Sequence, residues 1–332
     1  TPMRSSAASD VYKRQLVATL KKPTGFYDPK NPEMKGSEDA DSKDDDEVLT
    51  IEEASRKLRS PMLSFSNTDM AFKDNLLVAG SYHGFNIYEL QDNGIPNLIT
   101  SVVCPGGQGD VSVVGNILIM SVEETRGRVD CGLDGVGPDA SPERFRGIRI
   151  FDISNIKKPK QVGAVQTCRG SHTHSVVAGP TADNKIIVYN SGTGRVREED
   201  ELDGCIGNIA GDTRTAYFSI DVIEIPINDP ASSRIVSSPR VFADNDKGII
   251  AGLWRGGDHG DGTQDTRPTN QCHDITVFPS AGIAAGACSG NGILFDISDP
   301  YKPTRIDAVT DPGFAYWHSA TFNNDGTKVV FT

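Results

Sequence analysis

One strand-like segment recurs four times along the chain: GFNIYEL at 84–90, GIRIFDIS at 147–154, YFSIDVIEI at 217–225 and GILFDIS at 292–298. In each copy apolar residues alternate at period two, the pattern of a pleated strand rather than a helix. A second segment type precedes each copy, beginning at Asp69, Asp110, His174 and His273, and a fifth begins at His318. Each opens on Asp or His and alternates into a hairpin, the last through the turn Asn324-Asp325-Gly326.

The spacing gives a unit of about 43 residues, with 41 from Asp69 to Asp110 and 45 from His273 to His318. The longer intervals hold three non-repeating stretches, 123–146, 192–215 and 244–271. A four-stranded unit repeated at this period predicts an all-β fold, a β-propeller of four-stranded blades with four complete blades and a truncated fifth. Thirty-four glycines and nineteen prolines suit a chain that turns this often. The stop at Thr332 in mid-blade leads us to expect further sequence beyond it.

The run GIRIFDISNIKKPKQVGAVQ at 147–166 resembles the LVIVD repeat, and the resemblance spans residues 61–332. That family implies a propeller of the cell exterior and implies no particular chemistry.

Residues 1–60 read differently, as a disordered arm, an acidic linker and a short helix. The opening TPMRSSAASDVYKRQ resembles translated sequencing-adapter read-through, so residues 1–15 are set aside. Residues 16–20 form a candidate short strand. The stretch 36–47 carries seven acidic residues and one lysine, half of the net charge of −12, and reads as a solvated linker or a calcium-binding run. Thr50 and Glu53 have capping-box spacing ahead of a helix expected over 51–59.

The net charge argues against nucleic acid as a partner, because phosphate binding needs clustered Lys and Arg. No stretch approaches the roughly 18 to 20 apolar residues of a membrane-spanning helix. GxxxxGK[ST], GxSxG and HExxH motifs are all missing.

Chemistry, if present, is expected where the inner strands begin. In a propeller Asp69, Asp110, His174, His273 and His318 would ring one mouth of the channel, with His172 two residues before His174 on the same strand face. Imidazole and carboxylate together are ligands for a divalent transition metal, although polar residues at such a mouth also serve channel water and backbone. The three long stretches should emerge on this same face, where binding loops usually reside.

The stretch 244–271 contributes Trp254, Arg255, Asp258 and His259, with Asp261 and Asp265 close by, a calcium-loop-like cluster that turn chemistry explains equally well. Arg126 and Arg146, with Arg128 and Arg144, flank another stretch and are candidates for an anionic ligand.

Six cysteines in matching positions favour an oxidising compartment, hence a secreted, periplasmic or cell-surface protein; buried free thiols are the alternative. Cys272 and Cys288 are equidistant from Ser280 and should face each other across a hairpin. Cys131 and Cys205 lie in equivalent stretches and could pair, and Cys104 and Cys168, each six residues before a ring position, could be neighbours.

Two functions fit. One is a binding module for an extracellular protein, glycan or small molecule. The other is a metal-dependent enzyme, oxidoreductase or hydrolase-like, with its ion on the Asp/His ring.

Overall fold

The computed structural model describes residues 67–332 apart from 208–211, 261, 263 and 314, together with residues 16, 18–21 and 23. The acidic stretch 36–47 and the helix expected over 51–59 lie outside the described residues. The described residues of 16–20 carry no regular structure.

Four antiparallel four-stranded sheets follow one another in chain order. The first holds β1 (Asn67–Lys73), β2 (Leu76–Ser81), β3 (Gly84–Leu90) and β4 (Pro96–Val103). The second holds β5 (Val111–Val114), β6 (Ile117–Val122), β7 (Gly147–Asp152) and β8 (Lys160–Gln166). The third holds β9 (His174–Ala178), β10 (Lys185–Asn190), β11 (Asp221–Pro226) and β12 (Arg234–Ser237). A two-residue hairpin, β13 (Gly257–Asp258) with β14 (Asp265–Thr266), interrupts the series. The fourth sheet holds β15 (Cys272–Phe278), β16 (Ile283–Cys288), β17 (Asn291–Asp296) and β18 (Thr304–Val309), and the pair β19 (Ala320–Phe322) and β20 (Val329–Phe331) follows. The first strands adjoin in order, β1 to β5 to β9 to β15 to β19, so the sheets are blades arranged about the edge formed by those strands.

Alternation along each strand builds the core between blades. In the second blade Leu118, Met120 and Val122 pack toward the first blade against Phe85 and Ile87. Ile117, Ile119, Ile148 and Ile150 point the other way and meet Ile186, Val188, Ile223 and Ile225 of the third. Ile187, Tyr189 and Val222 then meet Ile275, Ile293 and Phe295 of the fourth. Ala285 and Ala287 continue to Trp317 and Ala320.

Three of the repeated segments open on glycine, and for two of them the cause is steric. Gly84 and Gly147 adopt φ of 129° and 142°, and a Cβ at either would lie 2.0 Å from the carbonyl oxygen of Val102 or Val165. Only glycine tolerates both conditions.

The third repeated segment is shorter than its pattern, because Phe218 turns to a φ of 64° and β11 starts only at Asp221. The fifth inner strand likewise begins at Ala320 rather than His318.

All six cysteines are paired, as Cys104–Cys131, Cys168–Cys205 and Cys272–Cys288. The hairpin bond matches its expectation, with Cys272 opposite Cys288 in register. The other two correct it. Cys104 and Cys168 sit at the ends of consecutive blades, and each reaches into the insertion of the blade that follows. Equivalent positions in neighbouring blades stand a blade apart, so the repeat relates one bond to the other rather than one partner to the other. Three disulfides fit an oxidising, extracytoplasmic environment.

Candidate functional site

The six side chains expected to form one ring divide into two sets that make no hydrogen bond, ion pair or ring contact with each other. The first set is structural. Asp69 accepts the N–H of Val111 at 3.0 Å, and Asp110 accepts that of His174 at 2.9 Å, so each carboxylate caps the first strand of the following blade. Burial raises the pKa of Asp69, and the negative charge of Asp110 adds to the rise. Burial and Asp110 do the same to Asp274. Burial alone would also raise Asp110, but the charge and hydrogen bonds of His174 hold it below the ordinary carboxylate range.

Ser121 Oγ and Asp110 Oδ2 lie 2.8 and 2.7 Å from His174. Both touch the same nitrogen, Nδ1, and Nε2 is buried with no hydrogen-bond partner. A Ser-His-Asp triad needs its serine and carboxylate on opposite ring nitrogens, so this set cannot run acyl transfer.

The second set gathers side chains from four successive units. Glu123 follows β6, His172 precedes β9, His273 lies in β15 and His318 precedes β19. The Nδ1 of His172 meets Glu123 Oε2 at 2.5 Å, and its Nε2 meets Nε2 of His273 at 2.8 Å. The ring of His273 lies over that of His318 with centroids 3.9 Å apart, and Tyr316 stands edge-on to it at 6.1 Å. Local bonds fix this meeting: Ser171 N–H donates to Val122 O at 3.0 Å, and the Thr173 hydroxyl donates to His273 O at 2.9 Å. Burial, then the neighbouring imidazoles His172 and His318, push the pKa of His273 down to about 4.

His172 and His174 therefore do not act together as expected. His172 lies ahead of β9 rather than within it, and the two rings take different partners. Among the described residues no three His, Cys, Asp or Glu side chains already surround a point that could hold a metal ion.

Tyr316 is also a wall of a cavity of about 530 Å³ that opens among the stretches 192–215 and 244–271. Tyr217, Asp265, Arg169, Arg195 and Arg267 line it as well. Arg169 lies over the Tyr217 ring at 4.4 Å and is bound to Gly194 O, Asn270 O and Gln271 Oε1, which makes it part of the wall. Arg195 and Arg267 are exposed, and neither guanidinium group has an ion pair among the described residues.

The other expected ligand residues are mostly committed elsewhere. Arg146 donates to the carbonyls of Glu123, Arg195 and Arg169 at 3.1 to 3.2 Å, and so ties three loops together. Arg144 pairs with Glu201, and Arg128 with Asp130 and Glu143. Arg126 lines a second cavity of about 340 Å³, beside Arg144 and Arg195. Trp254 stacks on His259 at 4.0 Å, and His259 Nε2 meets the Thr266 hydroxyl at 2.6 Å, closing the small hairpin. Both Asp258 oxygens accept backbone N–H groups, from Gly260 and Gly262, as a turn residue does. Arg255 is exposed.

Glu123, Tyr316, Tyr217, Arg195 and Arg267 had no signal in the sequence. Glu123, Arg195 and Arg267 lie in the stretches without repeat register, Tyr217 opens a repeated segment and Tyr316 sits between two units, and in each case only folding reveals what the side chain meets.

No family model matches the chain, and no curated protein matches it. Similar solved structures include the hydrazine synthase of Kuenenia stuttgartiensis, at 9% identity and TM-score 0.44, covering 80% of this chain and 61% of that one. A functionally unknown protein of Desulfotomaculum acetoxidans shows 12% identity and TM-score 0.44, covering 81% and 62%. The periplasmic gluconolactonase of Pseudomonas aeruginosa shows 10% identity and TM-score 0.38, covering 80% and 77%. The chain spans about six-tenths of the first two. These scores carry no functional argument, and the fold rests on the blades themselves.

Proposed function

We propose that the chain is an extracytoplasmic propeller of the LVIVD-repeat kind, secreted, periplasmic or surface-borne, that binds a small carboxylate-bearing molecule on its loop-covered face. The observation that carries this reading is the cavity between the two long insertions, lined by Arg195 and Arg267, both exposed and without an ion pair among the described residues. A guanidinium fork matches a carboxylate in two parallel hydrogen bonds, and Tyr217 and Tyr316 offer ring faces or edges for the body of the ligand. Asp265 and the neighbouring amide side chains suit hydroxyl groups, so a sugar acid fits the lining better than a purely aromatic acid.

Calorimetric titration with galacturonate, benzoate and neutral galactose tests this. Galacturonate is expected to bind best, with affinity falling as salt rises, and Arg195→Ala and Arg267→Ala are each expected to weaken it by about tenfold. Equal binding of galactose, or unchanged binding in the double variant, would overturn the reading. The second class of function, metal-dependent chemistry, draws its support from the imidazole cluster beside the cavity.

A further inference from the structure

We propose that His172, His273 and His318, backed by Glu123, form a binding site for a divalent transition-metal ion at the mouth of the channel. This goes beyond the carboxylate reading and stands without it. Four chain segments, spread from Glu123 to His318, bring three of the chain's six histidines to one place. The blade architecture needs no imidazole there, since the inner strands are already joined by backbone caps and threonine bonds.

The central pair, hydrogen-bonded as it stands, also accommodates two ligands on one ion. Two nitrogens, each about 2.0 Å from an ion and at the right angle of an octahedral or square-planar sphere, stand about 2.8 Å apart, against about 3.3 Å in a tetrahedral one, so a tetrahedral ion would need the rings to open by about half an ångström. The Nε2 atoms of His172 and His273 are 2.8 Å apart. A head-on N–H···N bond would instead hold the two ring centroids about 5 Å apart. The centroids are 4.3 Å apart with the rings inclined at 64°, so the rings are splayed about a point beside the line joining the two nitrogens.

Glu123 sets the tautomer. By accepting the Nδ1–H of His172 it leaves the Nε2 lone pair aimed at His273, the carboxylate–histidine arrangement that orients metal-binding imidazoles. His318 is exposed and stacked beside His273, so a side-chain rotation can swing one of its nitrogens onto the same ion. The set closes on binding, in keeping with the absence of a ready-made three-ligand sphere among the described residues. Nitrogen donors select zinc, copper, nickel or cobalt over calcium or magnesium. Tyr316 touches the His273 ring and also lines the cavity, so the histidine cluster adjoins the loop-lined cavity.

The test uses the disulfide-bonded chain, stripped with EDTA and titrated with Zn²⁺ alone by calorimetry and with Co²⁺ alone by visible absorption. One equivalent is expected to bind, with a cobalt d–d band that shows nitrogen ligation. His172→Ala and His273→Ala should each weaken binding at least tenfold. Glu123→Gln, which keeps a hydrogen-bonding group, should weaken it by about 10- to 100-fold. His318→Ala replaces an exposed side chain and should change the cobalt spectrum without changing the thermal midpoint of the metal-free protein. His259→Gln, a histidine outside the cluster, should leave the metal affinity unchanged. Failure to bind one equivalent, or binding unaltered in the His172→Ala/His273→Ala double variant, would overturn the proposal. Loss of galacturonate binding would leave it standing, because the titrations contain no carboxylate ligand.

Discussion

Glu224 shows how a single carboxylate joins two blades. It lies in β11, is 4% exposed, accepts the Tyr301 hydroxyl of the next blade at 2.8 Å, and pairs with Lys185 and Arg234 at 2.9 and 3.0 Å. Burial would raise its pKa, but the Lys185 and Tyr301 hydrogen bonds and the two cations hold it below the ordinary carboxylate range. A depressed carboxylate stabilises the fold above its unfolded pKa, and that contribution is lost as pH falls through the lower folded value. Glu224→Gln is therefore expected to cost about 1 to 2 kcal/mol at neutral pH. In urea unfolding followed from neutral pH downward, the gap between variant and parent should close once Glu224 is protonated in the parent. A gap of the same size in acid would show that charge is not its cause.

Among the elements, the insertions 123–146 and 192–215 are each tied down by a disulfide, whereas 244–271 carries the small hairpin instead. The described residues of 192–215 form no strand, yet Cys205 is 2% exposed and bonded to Cys168 at the end of the preceding blade. Chain-entropy reasoning weights this bond, with a separation of 37 residues, above the hairpin bond with a separation of 16. Replacing Cys168 and Cys205 by Ser should cost about 4 kcal/mol, and replacing Cys272 and Cys288 about 3 kcal/mol. Denaturant titration of the two double variants measures the order. Limited proteolysis should also find 198–204 newly cleavable only in the first. The expected partners Cys131 and Cys205 were misread because spacing reports equivalence, and equivalence across blades is not contact. The hairpin pair was legible because a turn and two alternating strands fix which residues oppose each other.

Across the whole molecule stability is shared between neighbouring blades, as in other repeat architectures. Phe295 is fully buried where the third and fourth blades meet. Phe295→Ala should cost about 3 to 5 kcal/mol through the cavity it leaves. Hydrogen exchange should then quicken in β9–β11 and β15–β17 before it quickens in β2 and β3, whereas uniform loss of protection would show that the blades unfold as one unit. The blades themselves could be read before folding, because period-two alternation and a turn at each end are local properties that every repeat restates. The same locality placed Asp69, Asp110, His172, His174, His273 and His318 near the inner strands. It could not say that His174 would turn inward to Asp110 while His172 met Glu123 and His273, since those choices depend on side chains more than 45 residues apart in the chain. Nor could it find Arg195 or Arg267, which share a cavity only because two unpatterned loops fold over the same face. Strand identity follows from neighbours along the chain; a site is made by neighbours in space, and packing of the blades is what supplies them.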